Sequence, residues 1–384
     1  MRRLGIGKTA NEGSPVIKEQ DRFRHLYCLG KTRSGKSTFL LNLITQEFDH
    51  TCIVLDPVGS FASAVVSLAP KDRLIIVDKH HPLVINPLDR KGLSWAEQAK
   101  EFTEVMNACV TASTSTLEST VLMGEIILNA FRVLKDDQRN IEYLSEFLNY
   151  EQVRKRHLPD KYWEFFDEKV GRFHVNKEKV DSAKRVAARL SAFYVDPNLK
   201  RFTIGKNQFD VLDIVTNHKV VVVNLHGFDD GSKIYLGNLI THAVKSYYQH
   251  QATENSLPLY LYVDEFHSFL TPFFNEMLAQ SAKYNISVNL AHQSHSQISK
   301  ATLNAILGNC YTKVVFSCGF EEAERMANEY SLRTKDFMDL GKYEAYIAIG
   351  KKPHKVKTYP PPELPQISAP YFLSNDWIDV SLYN

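Results

Sequence analysis

Eight consecutive residues of this chain have the types and spacing of a phosphate-binding loop. They match the pattern G-x-x-x-x-G-K-[ST] and read Gly30-Lys31-Thr32-Arg33-Ser34-Gly35-Lys36-Ser37. The glycines allow backbone N–H groups to surround phosphate oxygens at the positive end of the next helix. Lys36 supplies a cation for the β- and γ-phosphates of ATP, and the Ser37 hydroxyl can ligate Mg²⁺. We therefore predict a nucleotide-binding loop over Gly30–Thr38, with Thr38 as its last contact.

The residues on either side of this loop predict the elements that position it. His25–Leu29 is a short apolar run typical of a strand, and the following apolar residues fall on one face of a helix: Leu40, Leu41, Ile44 and Phe48. Strand, glycine-rich loop and helix in this order are the required context. Arg33 is bulky for its place, and either is solvated or touches nucleotide or a neighbouring subunit. The fragment Gly5–Thr9 lacks the first glycine and a preceding strand, so we do not expect it to bind phosphate.

A second candidate group of residues follows the apolar run Leu259–Val263, which predicts a strand. Asp264 at the end of this strand suits Mg²⁺ binding, usually through water. Glu265 suits polarising the water that attacks the γ-phosphate. Gln293 follows another predicted strand and can contact the γ-phosphate and report its loss. We predict three catalytic residues, Lys36, Glu265 and Gln293, and two metal ligands, Ser37 and Asp264.

Other residues with metal-binding chemistry do not form a recognisable site. His292 and His295 have no cysteine or acidic ligand at zinc spacing, so we interpret them as ordinary polar residues. The five cysteines contain no Cys-x-x-Cys pair, which favours buried, reduced thiols: Cys28, Cys52, Cys109, Cys310 and Cys318.

Length and composition set the class of protein. The chain has 384 residues, of which 44% are hydrophobic and 23% charged, enough apolar material to exclude a mostly disordered chain. The formal net charge of +2 argues neither for nor against a nucleic-acid partner. No run of about 18 apolar residues occurs, and the N-terminus lacks the pattern of a signal peptide. We expect a cytoplasmic protein without a membrane span, attached to a membrane, if at all, through a partner.

Apolar runs alternate with helical patterns, which predicts an α/β fold with a mainly parallel sheet. The predicted strands are His25–Leu29, Cys52–Asp56, Leu74–Val77, Lys219–Leu225, Leu259–Asp264, Ile286–Ala291, Lys313–Ser317 and Ala345–Ile349. We predict a core over 15–93 and 204–360, an all-helical insertion over 94–203 and an extended Pro-rich arm over 361–384. The polar run that starts at Lys351 indicates the end of the core, followed by an extended arm. Glu151–Ser191 within the insertion has eleven Lys or Arg and seven Asp or Glu, a net charge of +4.

Together these residues resemble the HerA/FtsK superfamily of motor ATPases. The closest likeness is to the cytosolic ATPase of type IV secretion coupling proteins of the TraG/TraD type. The resemblance covers about residues 15–362 and rests on the phosphate loop, on Asp264-Glu265-Phe266 and on Ala291-His292-Gln293 with Gln297. Supporting stretches are Arg22–His25, Leu55-Asp56-Pro57 with Gly59, Asn86-Pro87-Leu88, Val223-Asn224-Leu225, Gly308-Asn309 and Lys357–Pro361.

This resemblance implies a RecA-like P-loop core with an inserted all-α domain. It also implies a ring of six subunits, ATP with Mg²⁺ bound between neighbours, DNA-stimulated hydrolysis and DNA moved through the ring. Relaxase, secretion-channel or effector proteins would be further partners. DNA would be bound through its backbone by basic residues, for which the candidates are Arg154–Arg156, Lys184–Arg189 and Lys233.

The sequence departs from the family pattern at two points. Ala282 stands where these families usually carry an arginine that reaches the neighbouring subunit's site. Lys283, Arg325, Arg333 or a partner subunit then supplies the cation, or hydrolysis is slow. Coupling proteins also usually carry an N-terminal membrane anchor, whereas no apolar run in this sequence predicts one. Two alternatives to a DNA-transfer motor stay open, a nucleotide-dependent assembly module with slow hydrolysis and a viral or plasmid DNA-packaging ATPase.

Overall fold

The computed structural model of the chain describes residues 3–9, 15–89, 92–111, 118–156, 177–269, 272–350 and 352–363. It divides into two units. The first comprises Met1–His81, Val211–Lys233 and Tyr247–Asn384, and the second comprises Pro82–Asp210 and Ile234–Ser246. The predicted insertion, 94–203, falls within the second unit, and its borders stay a prediction.

The first unit is built on a large sheet. In the described residues the strands are β1 (Arg3–Gly5), β2 (Val16–Lys18), β3 (Leu26–Leu29), β4 (Thr51–Asp56), β5 (Leu74–Val77), β6 (Val220–Asn224), β7 (Leu259–Val263), β8 (Ile286–His292), β9 (Thr312–Val315), β10 (Glu344–Ile349) and β11 (Lys352–Lys357). Nine of them form one sheet in the order β11-β10-β9-β3-β8-β7-β4-β6-β5, and β1 pairs with β2. From β9 to β5 all neighbours are parallel, whereas β10 is antiparallel to both of its neighbours. The predicted α/β class with a mainly parallel sheet is confirmed.

The described α-helices are α1 (Glu19–Arg22), α2 (Lys36–Ile44), α3 (Ser60–Leu68), α4 (Trp95–Thr111), α5 (Glu118–Val133), α6 (Ile141–Asn149), α7 (Glu151–Lys155), α8 (Lys177–Val195), α9 (Pro197–Thr203), α10 (Val211–Thr216), α11 (Asp230–His250), α12 (Pro272–Gln280), α13 (Lys300–Asn309), α14 (Phe320–Tyr330) and α15 (Thr334–Met338). Helices α2 and α3 pack their apolar residues against one face of the sheet, on the side chains of Cys28, Val54 and Tyr262. Residues on the opposite face, such as Ile53 and Leu261, are also buried. Burial on both faces explains why these strands are apolar nearly throughout.

All eight predicted strands form, with ends that differ by one or two residues. The interpretation of Lys351 as the end of the core is wrong, because Lys352–Lys357 forms the edge strand β11 of the sheet. The exposed lysines and the proline of this strand give the sequence no strand-like pattern. Both residue types are common in strands at the edge of a sheet. In the fragment Gly5–Thr9, Lys8 pairs through its backbone with Lys357, at 2.8 and 2.9 Å. Most of the predicted arm, 364–384, lies outside the described residues.

A buried ion pair ties the elements of the first unit together. Arg22 Nε and one terminal nitrogen donate to the two oxygens of Glu47, at 2.7 and 3.2 Å. The other contact of that nitrogen is the Tyr262 hydroxyl at 3.1 Å, and this hydroxyl also donates to Glu47. Arg22 ends α1, Glu47 follows α2 and Tyr262 lies in β7. The ion pair therefore connects the segment after α2 to β7, the strand that precedes Asp264.

In the second unit, every described element of regular secondary structure is a helix. Helices α6 and α8 pack together, and the Ser145 hydroxyl donates to the Ala187 carbonyl at 3.1 Å. Lys245 of α11 donates to Glu104 of α4 at 2.8 Å, which joins the Ile234–Ser246 segment to this unit. The predicted all-helical character of the insertion is therefore confirmed for the part of 94–203 that the structure describes. No helix among the described residues is long and apolar enough to cross a membrane.

Candidate functional site

Four neighbouring parallel strands end at the same edge of the sheet. In the order β3-β8-β7-β4 they end at Leu29, His292, Val263 and Asp56. The residues that follow β3, β8 and β7 are the phosphate loop, Gln293 and Asp264-Glu265. Because the carboxyl ends of parallel strands meet at one edge, residues far apart in the chain gather there. This is where a ligand site is expected in an open α/β sheet.

The phosphate loop requires glycine at both ends. A Cβ atom on Gly30 would lie 2.7 Å from Phe316 Cβ and 2.8 Å from Ser34 Oγ. Gly35 has φ of 124°, in the region that favours glycine, and precedes Lys36, the first residue of α2. Lys36 is 5% exposed, and its Nζ donates to the carbonyls of Gly30 at 2.7 Å and Lys31 at 3.2 Å. The loop thus curls around a single buried cation.

The remaining loop residues divide between solvent and core. Lys31, Thr32 and Arg33 are exposed, whereas Ser34 and Thr38 are buried. The exposure of Arg33 agrees with a solvated side chain. Its φ of 63° bends the backbone at the middle of the loop.

The two predicted metal ligands lie in contact. Ser37 Oγ donates to Asp264 Oδ2 at 2.9 Å, although the residues are far apart in the chain. A hydroxyl and a carboxylate are hard oxygen donors of the kind that Mg²⁺ binds together with substrate phosphates. The residues present therefore fit a magnesium ion held with a nucleotide.

The electrostatics of Asp264 are unusual. Burial raises the pKa of its carboxyl to about 7, and the nearby carboxylates of Asp56 and Glu265 add to the shift. Lys36 and the Ser37 hydroxyl act in the opposite direction. A bound divalent cation reverses such a shift, because it favours the ionised carboxylate. Asp264 is thus poised between its protonated and ionised forms near neutral pH.

Asp56 is a site neighbour that the sequence analysis did not single out as functional. It ends β4 with no exposure and accepts from Val58 N at 2.8 Å and Ala62 N at 2.9 Å, at the start of α3. Burial raises the pKa of this carboxyl, while the backbone hydrogen bonds lower it. Its signal in the sequence is the same as that of Asp264, a carboxylate directly after an apolar strand.

The predicted catalytic residues form one hydrogen-bonded chain beside Lys36. Thr32 Oγ1 donates to Gln293 Oε1 at 2.8 Å, and Gln293 Nε2 donates to Glu265 Oε1 at 2.7 Å. The same Glu265 oxygen lies 4.0 Å from Lys36 Nζ. Glu265 has φ of 44°, a left-handed conformation that is uncommon outside glycine. The structure thus brings together all five residues that were predicted as catalytic or metal-binding.

The histidines near this site do not form a metal centre. In the part of the chain that the structure describes, no group of three His, Cys, Asp or Glu residues could hold a metal ion. His292 is fully buried, with its ring 4.8 Å from that of Phe266, and burial lowers its pKa to about 3. It is a core residue rather than an ordinary polar one. His267, which the sequence analysis did not notice, lies with its Nδ1 3.5 Å from Glu265 Oε2.

The residues proposed to replace the missing arginine are each engaged elsewhere. Ala282 is half-buried in the 3₁₀ turn Ser281–Tyr284, and Lys283 is exposed with its Nζ 4.9 Å from the centre of the Tyr284 ring. Arg325 donates to Asn304 at 2.8 Å, and Arg333 donates to Asp336 at 2.7 Å.

The candidate DNA contacts have different environments. Arg154 is a wrong candidate: it is 3% exposed and donates to the carbonyls of Phe147 and Leu148 near the end of α6, at 3.1 and 2.8 Å. It caps a helix instead of facing solvent. Lys184 and Arg185 of α8 are exposed. The Nζ atom of Lys233 lies 3.7 Å from Oδ1 of Asp230.

Comparison with known proteins places the chain in a family. Residues 12–334 match the family described as the type IV secretion-system coupling protein DNA-binding domain. The chain belongs to this family. A search among curated protein sequences finds no match.

Solved structures similar to this coupling-protein chain show the same fold. The conjugative coupling protein TrwB, lacking its first 70 residues and unbound, is 15% identical, with a TM-score of 0.68 over 94% of this chain and 89% of that one. TrwB with the ATP analogue ADPNP is also 15% identical, with a TM-score of 0.67 over 98% and 94% of the two chains. VirB4 of Thermoanaerobacter pseudethanolicus is 14% identical, with a TM-score of 0.64 over 93% and 96%. The fold is a RecA-like NTPase core with an all-α domain.

Proposed function

We propose that the protein is an ATP-hydrolysing motor that binds and moves DNA in type IV secretion or conjugation. The observation that carries this proposal is the arrangement at the sheet edge. There Ser37 and Asp264 lie 2.9 Å apart, and Gln293 holds Glu265 at 2.7 Å, next to the buried Lys36. Family membership and the TrwB structures with ADPNP and with ADP and Mg²⁺ support the same conclusion.

The roles follow from position and chemistry. The phosphate loop, Gly30–Thr38, binds the phosphates through its backbone N–H groups, and Lys36 exchanges its loop carbonyls for phosphate oxygens. Glu265 accepts a proton from the attacking water. Gln293, held between Thr32 and Glu265, contacts the γ-phosphate and transmits its loss to the loop.

Ser37 and Asp264 are the residues that would hold the metal ion accompanying the nucleotide. Mg²⁺ bound there would neutralise charge that develops on the phosphates. Asp56 contributes through electrostatic repulsion, which adds to burial in raising the pKa of Asp264 when no cation is nearby.

We propose an assembly of six subunits in a ring, with ATP between neighbours and DNA held by its backbone. The exposed Lys184 and Arg185 are the best-placed candidates among the predicted contacts, because phosphate binding needs accessible cations. The core over 15–93 and 204–360 binds nucleotide, and the insertion over 94–203 contributes the basic surface. We propose a cytoplasmic location, with membrane, channel or relaxase contacts made through partner proteins.

A second function is favoured by Ala282. Arginine fingers contribute about 10³–10⁵-fold to hydrolysis in related enzymes, so their absence fits a nucleotide-dependent assembly module with slow turnover. Such a module forms oligomers with ATP but moves no DNA.

The deciding experiment is an ATPase assay with and without DNA at low salt, alongside Ala282→Arg. We expect hydrolysis that DNA stimulates and that Lys36→Ala or Glu265→Gln abolishes. Lys335→Ala, at an exposed residue of α15, is a matched control that keeps full activity. Nucleotide binding without DNA binding or DNA-stimulated turnover would contradict the motor and support the module. A rise in turnover for Ala282→Arg would show that the missing arginine limits hydrolysis.

A further inference from the structure

Two buried polar atoms without hydrogen-bond partners face each other beside the candidate catalytic carboxylate. They are Glu265 Oε2 and His267 Nδ1, and the distance between them is 3.5 Å. His267 lies in the 3₁₀ turn Phe266–Phe269, which follows Asp264-Glu265 directly. Buried polar atoms are rarely left unpaired, and those that are call for a functional explanation.

The neighbouring Gln297 decides which His267 nitrogen carries the proton. Gln297 Oε1 accepts from Ser294 N at 3.2 Å, which fixes the orientation of the amide. Gln297 Nε2 therefore points to His267 Nε2, at 3.3 Å. An amide nitrogen only donates, so His267 Nε2 must accept. In the neutral ring the proton then sits on Nδ1, the atom that faces Glu265.

Further observations agree with a neutral, donating ring. Burial lowers the pKa of His267, although the Glu265 carboxylate opposes this. At 3.5 Å the contact is longer than an ordinary hydrogen bond. Catalytic hydrogen bonds often have this length without substrate and shorten when substrate binds. Gln293 already holds the other oxygen, Oε1, at 2.7 Å.

We propose that His267 is a positioning residue that donates from Nδ1 to Glu265 Oε2 and so orients the general base. This rests on the proposed ATP hydrolysis. The two carboxylate oxygens are held by different elements, Oε1 by Gln293 after β8 and Oε2 by His267 after β7. With both oxygens held, the carboxylate has a fixed direction towards the attacking water. Gln297 acts one step further away, because it sets the tautomer of His267.

The test compares His267→Leu with His267→Asn in steady-state ATP hydrolysis. Leucine keeps the approximate volume and removes the donor, whereas the asparagine amide nitrogen takes the place of Nδ1. We expect His267→Leu to lower kcat about tenfold or more, the size of one lost hydrogen bond to a charged group, with KM within about twofold. His267→Asn restores most of kcat. His354→Leu, on the exposed edge strand, is the matched control.

The outcomes separate this proposal from the proposed function. If the wild type hydrolyses ATP but His267→Leu keeps kcat within about twofold of it, His267 does not position Glu265. Equal losses in the leucine and asparagine variants would assign the effect to packing and would also overturn the proposal. A wild type without hydrolysis would instead refute the proposed function. Binding of a fluorescent ATP analogue to each variant confirms that the site is folded.

Discussion

The buried carboxyl of Asp264 makes magnesium-dependent nucleotide binding sensitive to pH. Its pKa of about 7, against an ordinary value of 3.8, arises from burial first and from Asp56 and Glu265 second. A cation binds the ionised form, so a proton must leave before Mg²⁺ enters. Well below pH 7 each further unit of pH therefore weakens the metal-dependent affinity about tenfold, or about 1.4 kcal/mol.

The assay is titration of a fluorescent ATP analogue with and without Mg²⁺ at several pH values between about 5.5 and 8.5. The nucleotide's own phosphate titrates in this range, so the informative quantity is the difference between wild type and Asp264→Asn. We expect the magnesium-dependent part of binding to weaken about tenfold from pH 8 to pH 6 in the wild type, because the ionised fraction of Asp264 falls by that factor. In Asp264→Asn this dependence disappears, because no carboxyl titrates there.

Asp56→Asn tests the cause of the shift. Removing the negative charge that repels Asp264 lowers the Asp264 pKa, so the loss of affinity moves to lower pH. Asparagine keeps one acceptor for the two backbone N–H groups at the start of α3. Equal magnesium-dependent affinities at pH 6 and pH 8 in the wild type would refute the reasoning, since they would mean that Asp264 is ionised throughout.

Three further predictions concern stability. The pKa of Asp264 in the folded protein lies above its unfolded value. Its contribution to the stability of the nucleotide-free protein is therefore full below pH 3.8 and is lost as pH rises through about 7. Urea unfolding over this range shows the decline in stability, and Asp264→Asn removes it. Glu47→Leu leaves Arg22 charged and buried and costs about 3–5 kcal/mol in urea unfolding, and the double variant with Arg22→Met recovers most of it; a double variant no more stable than Glu47→Leu contradicts this. In Gly35→Ala the added Cβ lies 3.0 Å from the Tyr343 ring, at a φ of 124° that alanine rarely adopts. We expect this variant to lose about 1–3 kcal/mol of stability towards urea and to lose nucleotide binding. The helical control Gly308→Ala, whose Cβ has nothing within 4 Å, keeps its stability and its nucleotide binding.

The sequence predicted best what depends on local patterns. The phosphate loop, the acidic pair and the eight strands are each specified by a few consecutive residues, and the sheet gathers their ends at one edge. The edge strand β11 was missed because lysines, a histidine and a proline give it no apolar alternation. Its place depends on pairing with β10, which is a property of the folded sheet.

Contacts between distant residues could not be predicted from local patterns. His267 and Gln297 are 30 residues apart, and nothing in either segment indicates that the two side chains meet. Asp56 could have been found, because it ends a strand as Asp264 does, but the order of the strands was needed to bring the two together. Arg154 was wrongly predicted as a DNA contact because a basic run in the sequence does not show which of its side chains is buried.

The left-handed backbone of Glu265 has a consequence for its replacement. At φ of 44° a non-glycine residue is strained by about 1 kcal/mol, and such strain is typical of functional sites. Glycine at this position would relieve the strain but would add conformational entropy to the unfolded chain. We therefore expect Glu265→Gly to unfold at nearly the same urea concentration as the wild type and to hydrolyse no ATP, so that stability and activity respond separately to this one change.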